Sequence, residues 1–181
     1  PDKDGATPLF IAAENGHVDV LMWLAGQDIT TLDTKGRSPM HYAAIGGHVN
    51  VFEWLVERGA DGLSWDGNGR LPMHYAAMSG HVELIKWLAG RGDDMMALDK
   101  GGFSPVHYAA ENGQVDVIEW LAEQGVDLMT GGRYCPTPAR LAVKHGHLDV
   151  LKVMVEHGAD IMRLGEYGST PVHVAAHHGH L

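Results

Sequence analysis

Histidine is the residue type through which this sequence could most readily do chemistry. The chain of 181 residues holds 13 histidines, and a neutral imidazole can act as a general base or bind a metal ion. Nine of them recur at fixed distances from a repeated proline or glycine, which favours a structural role in bonding buried polar groups. The histidines outside this spacing are His145, His157, His177 and His178.

The densest group of histidines, His177-His178-Gly179-His180, could capture a metal ion. A tetrahedral site needs further ligands, and the sequence places no cysteine or carboxylate beside this group to supply them. We therefore expect no metal centre, and no motif indicates another cofactor.

Serine and cysteine nucleophiles are the other chemistry that the sequence suggests. Ser38, Ser104 and Thr170 have a histidine three residues further on, but each stands directly before a proline. A hydroxyl there caps a helix, so its oxygen should be committed to backbone donors. The single cysteine, Cys135, excludes an internal disulfide. No glycine cluster precedes a lysine as in a phosphate-binding loop, and we predict that the chain is not an enzyme.

The prolines reveal the elements that must position these side chains. Most of them recur every 33 residues, and the first of the series precedes the next by 31. A Ser or Thr before the proline predicts a helix start, and a glycine eight residues after it predicts the end. A second amphipathic run, such as 49–57, predicts a second helix. The prolines of the series are Pro8, Pro39, Pro72, Pro105, Pro138 and Pro171.

This pattern predicts an all-α solenoid of stacked helix–turn–helix units, forming a single domain over residues 1–181. Helices this short are marginal alone, so stacking must form the core. We expect paired alanines such as Ala43 and Ala44 to allow close helix contacts, and a tryptophan in register to fill the space between second helices. The tryptophans are Trp23, Trp54, Trp87 and Trp120. The predicted repeats are approximately 2–32, 33–65, 66–98, 99–131 and 132–164, with a partial repeat at 165–181.

The partial repeat predicts a weak point at the C-terminal end. Its first helix has no second helix beside it, so Val172, Val174 and Ala175 should be partly exposed to solvent. We expect a monomer, or weak end-to-end association through this truncated repeat.

Two units depart from the pattern. Leu71 replaces the capping hydroxyl, which should cost about 1 kcal/mol and remove a partner of His74. In the fifth unit Cys135 stands where glycine is otherwise found, Arg140 replaces the histidine and Val153 replaces the tryptophan. That unit is either degenerate or carries a specialised contact loop, and the sequence leaves both interpretations open.

The recurring text resembles the ankyrin repeat, over essentially the whole chain. The resemblance implies paired antiparallel helices with hairpin-like loops, stacked into a slightly curved slab whose concave surface of loop tips and first helices binds proteins. It also implies that the histidine after each repeat proline bonds the backbone and the capping hydroxyl. In residues 66–98 the matching positions are Asp66, Gly69, Pro72, His74, Ala76, Ala77, Gly80, His81, Gly92 and Asp94.

Charge and hydropathy exclude several classes of partner. The formal net charge of −10 would repel phosphate backbones, so we expect no nucleic acid. No apolar run is long enough to cross a bilayer, and no signal peptide opens the chain. A single cysteine suits a reducing compartment, which favours the cytoplasm or the nucleus.

The resemblance also implies which residues vary between units and project into the concave face. Their mixture of arginine, methionine and aromatic residues is typical of interface cores, whereas acidic residues fall on the second helices. We therefore predict a scaffold that binds a partner protein or peptide, through an acidic or mixed segment with an apolar anchor. The predicted partner-binding residues are Lys35, Arg37, Ile45, Arg70, Met78, Phe103, Glu111, Asn112, Arg133, Tyr134, Lys144, His145 and Tyr167.

Other interpretations stay open at this point. The loops could simply be polar and solvated. The chain opens without methionine and stops within the pattern, as expected for the regulatory or targeting arm of a larger enzyme or channel. An engineered binder on an ankyrin scaffold is a further alternative, although the units differ more than copies of a consensus would.

Overall fold

The computed structural model describes residues 5–24, 26, 28–131, 135–161, 176–177 and 179. These residues form ten α-helices and no strand, which confirms the predicted all-α class. The first helices of the repeats are α1 (Pro8–Glu14), α3 (Pro39–Gly46), α5 (Pro72–Ser79), α7 (Pro105–Glu111) and α9 (Pro138–His145). The second helices are α2 (Val18–Trp23), α4 (Val49–Glu57), α6 (Val82–Gly90), α8 (Val115–Glu123) and α10 (Leu148–Glu156).

The first helices begin and end where local chemistry requires it. Each begins at its repeat proline, whose missing N–H would have no partner in a first turn. After α3, Gly47 adopts the left-handed conformation with φ 75°, which an L side chain rarely adopts. A side chain there would also collide with the imidazole of His81. Glycine is therefore required at this position for both the turn and the close approach of the next repeat.

The helices form two compact units, over residues 1–94 and 95–181. In the first unit α1, α3 and α5 pack in a row, and α4 packs between α2 and α6. In the second unit α7 packs against α9 and α8 packs against α10. The predicted single domain over 1–181, with its repeat boundaries, stays a prediction.

Small side chains bring the first helices together, as the sequence predicts. Ala43 and Ala44 of α3, with Ala76 and Ala77 of α5, are fully buried where these two helices pack. Larger residues such as Phe52 of α4 are also fully buried. Because alanine projects so little, the two backbones can approach closely and exclude water.

The prediction for the tryptophans is wrong as a general rule. Trp54 is 6% exposed, but Trp23 is 84% exposed, and Trp87 and Trp120 are half-buried. The ring of Trp87 lies 5.8 Å from that of Phe52 in the preceding repeat. Trp87 thus contacts the repeat that precedes it.

Two further predictions concern the exposed residues of the partial repeat and the absence of a membrane-spanning run. The bare residues predicted in the partial repeat, Val172, Val174 and Ala175, lie outside the residues that the structure describes. Each helix in the described part of the chain is too short or too polar to span a bilayer.

Candidate functional site

The hairpin loop before α3 is closed around the carboxylate of Asp33. One carboxylate oxygen accepts the backbone N–H groups of Lys35 and Arg37, both at 2.8 Å. The other accepts the Arg37 Nε–H at 2.7 Å and the Tyr42 hydroxyl at 2.9 Å. Because Tyr42 belongs to α3, this carboxylate ties the loop to the first helix of its own repeat.

The same arrangement recurs in the next two repeats. Asp66 accepts the Arg70 N–H at 2.8 Å and the Tyr75 hydroxyl at 2.7 Å. In the second unit, Asp99 accepts the Tyr108 hydroxyl at 2.6 Å and also accepts two backbone N–H groups of its loop. Each of these hairpins therefore contains an acceptor for its own backbone N–H groups, which would otherwise bond to water.

Sequence reasoning missed the tyrosine in this arrangement. A signal was present, because in three repeats a tyrosine follows the loop aspartate by nine residues. In the fifth repeat Gly132 and Leu141 replace both members at once. The pairs are Asp33–Tyr42, Asp66–Tyr75 and Asp99–Tyr108.

Hydrogen bonds within these loops stabilise the charged form of their aspartates. Burial by itself would raise the pKa of Asp33, but hydrogen bonds from Arg37, Tyr42 and the Lys35 N–H outweigh it and hold the pKa below its usual range. The pKa of Asp66 is likewise lowered, because bonds from Arg70, Tyr75 and the Asn68 N–H outweigh burial. Both aspartates are therefore ionised and held inside the loops at neutral pH.

The predicted contact residues Lys35, Arg37 and Arg70 lie in these two hairpins, but they are not alike. Lys35 is exposed at the tip of its hairpin. The Arg37 guanidinium lies 4.6 Å from the centre of the Tyr42 ring and pairs with Asp33 at 2.7 Å. Arg70 is half-buried, with its guanidinium 5.9 Å from the centre of the Tyr75 ring. The two arginines thus stabilise the loops as well as presenting charge.

Neighbouring hairpins are joined directly through the backbone. The Gly67 N–H donates to the Lys35 carbonyl oxygen at 2.8 Å. Since each of these two hairpins is also fixed to its own first helix, their tips are held in order relative to each other.

Ile45 and Met78, also predicted contact residues, lie in the last turns of α3 and α5. They occupy equivalent positions in two helices that pack together, and both are half-buried. The Ile45 carbonyl oxygen accepts the His81 Nε2–H at 2.8 Å, so the end of α3 is fixed by the next repeat. This arrangement places two half-buried apolar residues at equivalent positions of neighbouring first helices.

The second unit brings together the predicted residues at the ends of α7 and α9. Asn112, Lys144 and His145 are exposed, and His145 Nε2 lies 3.7 Å from the Glu111 Oε1. Phe103, in the loop before α7, is half-buried, with its ring 5.3 Å and 5.8 Å from those of His107 and Tyr108. The unit thus offers a surface on which polar, hydrogen-bonding side chains are exposed and one aromatic side chain is half-buried. The remaining predicted residues, Arg133, Tyr134 and Tyr167, lie outside the described residues.

The acidic residues of the second helices are separate from these loops. Glu53, Glu83, Asp116, Glu119 and Asp149 are all exposed on α4, α6, α8 and α10. The loop aspartates, by contrast, are tied to their own hairpins.

His41 has the structural role that the resemblance implies. Its Nδ1 accepts the Ser38 N–H at 3.0 Å, and its Nε2 lies 3.0 Å from the Arg70 carbonyl oxygen. A carbonyl can only accept and a backbone N–H can only donate, so the ring is neutral with its proton on Nε2. Burial lowers the pKa of His41 in agreement with this state.

The prediction for the capping hydroxyls is correct for α9 but not for α3 and α7, where the Ser38 and Ser104 hydroxyls each bond an imidazole. The Thr137 Oγ1 accepts the Arg140 N–H at the start of α9, at 3.3 Å. The Ser38 Oγ instead lies 2.9 Å from the Nδ1 of His41 and 3.0 Å from the Ser64 Oγ. The imidazole at the third helical position therefore competes for the hydroxyl that the backbone was expected to use.

As expected, Leu71 deprives His74 of the hydroxyl that bonds the equivalent imidazole in the repeats with Ser38 and Ser104, but the second bond at this cap is kept. The Leu71 N–H donates to the Nδ1 of His74 at 3.0 Å, without any hydroxyl. The leucine side chain is itself buried. The bond between the cap backbone and the imidazole thus survives the loss of the hydroxyl.

One constellation resembles a nucleophile with its base. The Cys135 Sγ lies 3.5 Å from the Nε2 of His107 and 3.2 Å from the Gly102 carbonyl oxygen. Burial, and then the Asp99 carboxylate, raise the pKa of the Cys135 thiol. A thiol held protonated is a poor nucleophile, so this pair has the character of a packing contact. Within the described ranges, no three histidine, cysteine or acidic side chains are grouped to hold a metal ion.

Comparison with known families identifies the repeats. A model described as ankyrin repeats in many copies matches residues 9–56, 40–89 and 140–181, and a model of the single ankyrin repeat matches residues 101–130. The chain therefore belongs to the ankyrin repeat family. Ankyrin repeats are generally protein–protein interaction modules, and the family is typically non-enzymatic. No curated protein matches the chain.

Proposed function

We propose that this protein is an interaction scaffold that binds a partner protein or peptide through its hairpin tips and the ends of its first helices. The observation that carries this proposal is the internal fixing of the hairpins by Asp33 and Asp66. A surface that is already ordered loses little conformational entropy on binding. Loops that were simply solvated would not require such an arrangement.

The chemistry of the first unit favours an acidic peptide segment with one apolar anchor. Lys35 is exposed at a tip, while the nearby carboxylate of Asp33 is occupied by its own loop. Ile45 and Met78 supply half-buried apolar side chains on two neighbouring first helices. A positive tip beside an apolar strip complements a negative segment that carries an apolar side chain.

The proposal is tested with peptides selected from a random displayed library on the wild-type chain. We expect the selected peptides to be acidic and to contain an apolar residue. Lys35→Glu and Met78→Glu should each weaken a selected peptide by about tenfold or more, measured as a Kd by fluorescence anisotropy.

Lys86→Glu is the matched control, because Lys86 is an exposed lysine on α6, paired with Glu83 at 2.8 Å. It makes the same change of charge on a second helix and should leave the Kd unaltered. Circular dichroism must show that all three variants are folded. Equal affinity of the wild type, Lys35→Glu and Met78→Glu would remove this surface as the binding site.

A further inference from the structure

The two hairpins of the first unit each carry an exposed apolar residue directly before their buried aspartate. Leu32 precedes Asp33 and is 58% exposed, and Trp65 precedes Asp66 and is 53% exposed. These residues are 33 positions apart, so they are equivalent in neighbouring hairpins. In the second unit Leu98 has the same position and is 56% exposed. Such recurrence differs from the single, scattered apolar residues that are normal on a protein surface.

The exposure of Leu32 and Trp65 follows from the orientation of the aspartates beside them. Asp33 and Asp66 are turned into their hairpins, where each accepts backbone N–H groups and a tyrosine hydroxyl. Successive side chains of a hairpin arm point to opposite sides, so the residue before an inward aspartate faces solvent. Since the hairpin is closed by the aspartate, its closure does not require an apolar residue at this outward position.

The helices behind the hairpins set the distance between Leu32 and Trp65. α3 and α5 pack through buried alanines, and packed helices have axes about 8–10 Å apart. Each hairpin is tied to its own helix through its aspartate, and the two hairpins are bonded to each other through the backbone. Leu32 and Trp65 are therefore separated by about one helix spacing, on the order of 9 Å.

A peptide segment in the polyproline II conformation presents side chains at this spacing. It has three residues per turn and rises about 3.1 Å per residue, so side chains three positions apart lie on one side, about 9 Å apart. In a β-strand, residues three positions apart point to opposite sides. An α-helix presents a broad apolar stripe, whereas each hairpin here offers one apolar side chain. Exposed aromatic residues such as Trp65 are also the surface on which polyproline II segments dock.

The charges around these two residues favour an anionic segment. Lys35 is exposed at the tip of the first hairpin, and Arg70 lies at the end of the second. The nearest exposed carboxylates along the chain, Asp28 and Asp61, each accept a backbone N–H two residues later. A second copy of this chain, with its net charge of −10, or an anionic membrane would be repelled over longer range.

We propose that Leu32 and Trp65 together bind an acidic segment of a partner protein in the polyproline II conformation, through two apolar side chains three positions apart. This inference rests on the proposed function, because it specifies the conformation and the apolar spacing of the peptide that the scaffold binds. Ile45 and Met78 remain the anchor site of that function. Leu32 and Trp65 add a second apolar contact, in the hairpins that also carry Lys35 and Arg70.

The spacing is tested with the peptides selected from the displayed library on the wild-type chain. We expect each selected peptide to carry two apolar residues three positions apart, with acidic residues or proline between and around them. Moving one of these apolar residues by one position should weaken a synthetic peptide by about tenfold, measured as a Kd by fluorescence anisotropy.

The contact residues are tested with matched variants of the chain. Leu32→Ser and Trp65→Ala should each weaken the same peptide by about fivefold or more. Leu148→Ser and Trp23→Ala are the controls, because they remove a leucine that is 57% exposed and a tryptophan that is 84% exposed from second helices. Both controls should leave the Kd unaltered, and circular dichroism must show that all four variants are folded.

Fluorine NMR of the chain labelled with 5-fluorotryptophan reports the contact directly. The resonance of Trp65 is assigned by its absence in Trp65→Phe. We expect the peptide to shift this resonance and to reduce its solvent isotope effect, while the resonance of Trp23 stays unchanged.

The outcomes separate this inference from the proposed function. If Lys35→Glu and Met78→Glu weaken the peptide but Leu32→Ser and Trp65→Ala do not, the scaffold remains and the inference is wrong. If none of the four variants weakens the peptide, both are wrong.

Three further results would also overturn the inference. Selected peptides with apolar residues two, four or seven positions apart would bind as a strand or a helix. Cosedimentation with phosphatidylserine-containing vesicles that is lost in Trp65→Ala would make a membrane the occupant. A dimer in sedimentation that Trp65→Ala dissociates would make a second copy the occupant.

Discussion

The carboxylate of Asp66 connects the loop and the helix of its repeat through three hydrogen bonds. It accepts the N–H groups of Asn68 and Arg70 and the hydroxyl of Tyr75. The Tyr75 side chain is buried, and burial together with the bond to Asp66 raises its pKa. Removing the carboxylate would leave donors without an acceptor inside the protein, which is more unfavourable than losing one bond in water.

We expect Asp66→Ala to lower the free energy of unfolding by about 3 kcal/mol, because three donors lose their acceptor, and Tyr75→Phe by about 1 kcal/mol. Urea denaturation monitored by circular dichroism measures both. Glu57→Ala, at the exposed end of α4, should change the free energy of unfolding by less than about 0.5 kcal/mol. Similar values for Asp66→Ala and Glu57→Ala would contradict the importance of the loop carboxylate.

At the scale of single residues, the sequence predicted the histidine bonds but not the tie between loop and helix. His41 was recognisable because a histidine stands two residues after four of the six repeat prolines. The aspartate and the tyrosine lie in different elements, and their pairing follows no helical or strand periodicity. Only comparison across repeats, where Gly132 and Leu141 replace both residues together, reveals that they act as a pair.

At the scale of the helix, the predictions that succeeded depend on local chemistry. The second helix predicted at 49–57 is α4, Val49–Glu57, because a period of 3.6 residues needs no knowledge of the rest of the fold. The burial of the tryptophans could not be predicted in this way. It depends on which neighbour each helix has, and the sequences around Trp23 and Trp54 are too similar to reveal the difference.

The tryptophans of α2 and α4 provide a matched pair for measuring this effect of the neighbouring helix. Trp54→Ala should lower the free energy of unfolding by about 3–5 kcal/mol, since it leaves a cavity in a packed interior. Trp23→Ala should change it by less than about 0.5 kcal/mol, because the side chain is largely in solvent. Urea denaturation compares the two, and equal losses would show that exposure does not set the contribution of this position.

At the scale of the whole molecule, charge acts on stability in two opposite directions. The net charge of −10 at pH 7 and the isoelectric point of about 5.6 mean that mild acid relieves self-repulsion. Buried groups with lowered pKa values oppose this gain. The composition predicted the first effect, whereas the second required the hydrogen bonds of particular residues.

We expect acid to destabilise the protein in two stages. Burial holds the pKa of His41 below 6.5, so below that pH the unfolded chain takes up a proton that the folded chain refuses. The stabilisation is complete above pH 6.5 and is lost as the pH falls towards the folded pKa. The folded pKa values of Asp33 and Asp66 lie below 3.8, so their contribution is present above that pH and is lost as the pH falls through the folded values.

The first stage can be isolated by comparing the wild type with His41→Gln between pH 7.5 and 5. In 0.5 M NaCl self-repulsion is largely screened, so the slope of unfolding free energy against pH reports proton uptake. One histidine contributes at most about 1.4 kcal/mol per pH unit. The other histidines are unchanged in the variant, so its slope should be smaller by the contribution of His41 alone. Equal slopes would mean that His41 takes up its proton equally in the folded and unfolded chains, which burial of the ring and the Ser38 N–H donated to its Nδ1 should prevent.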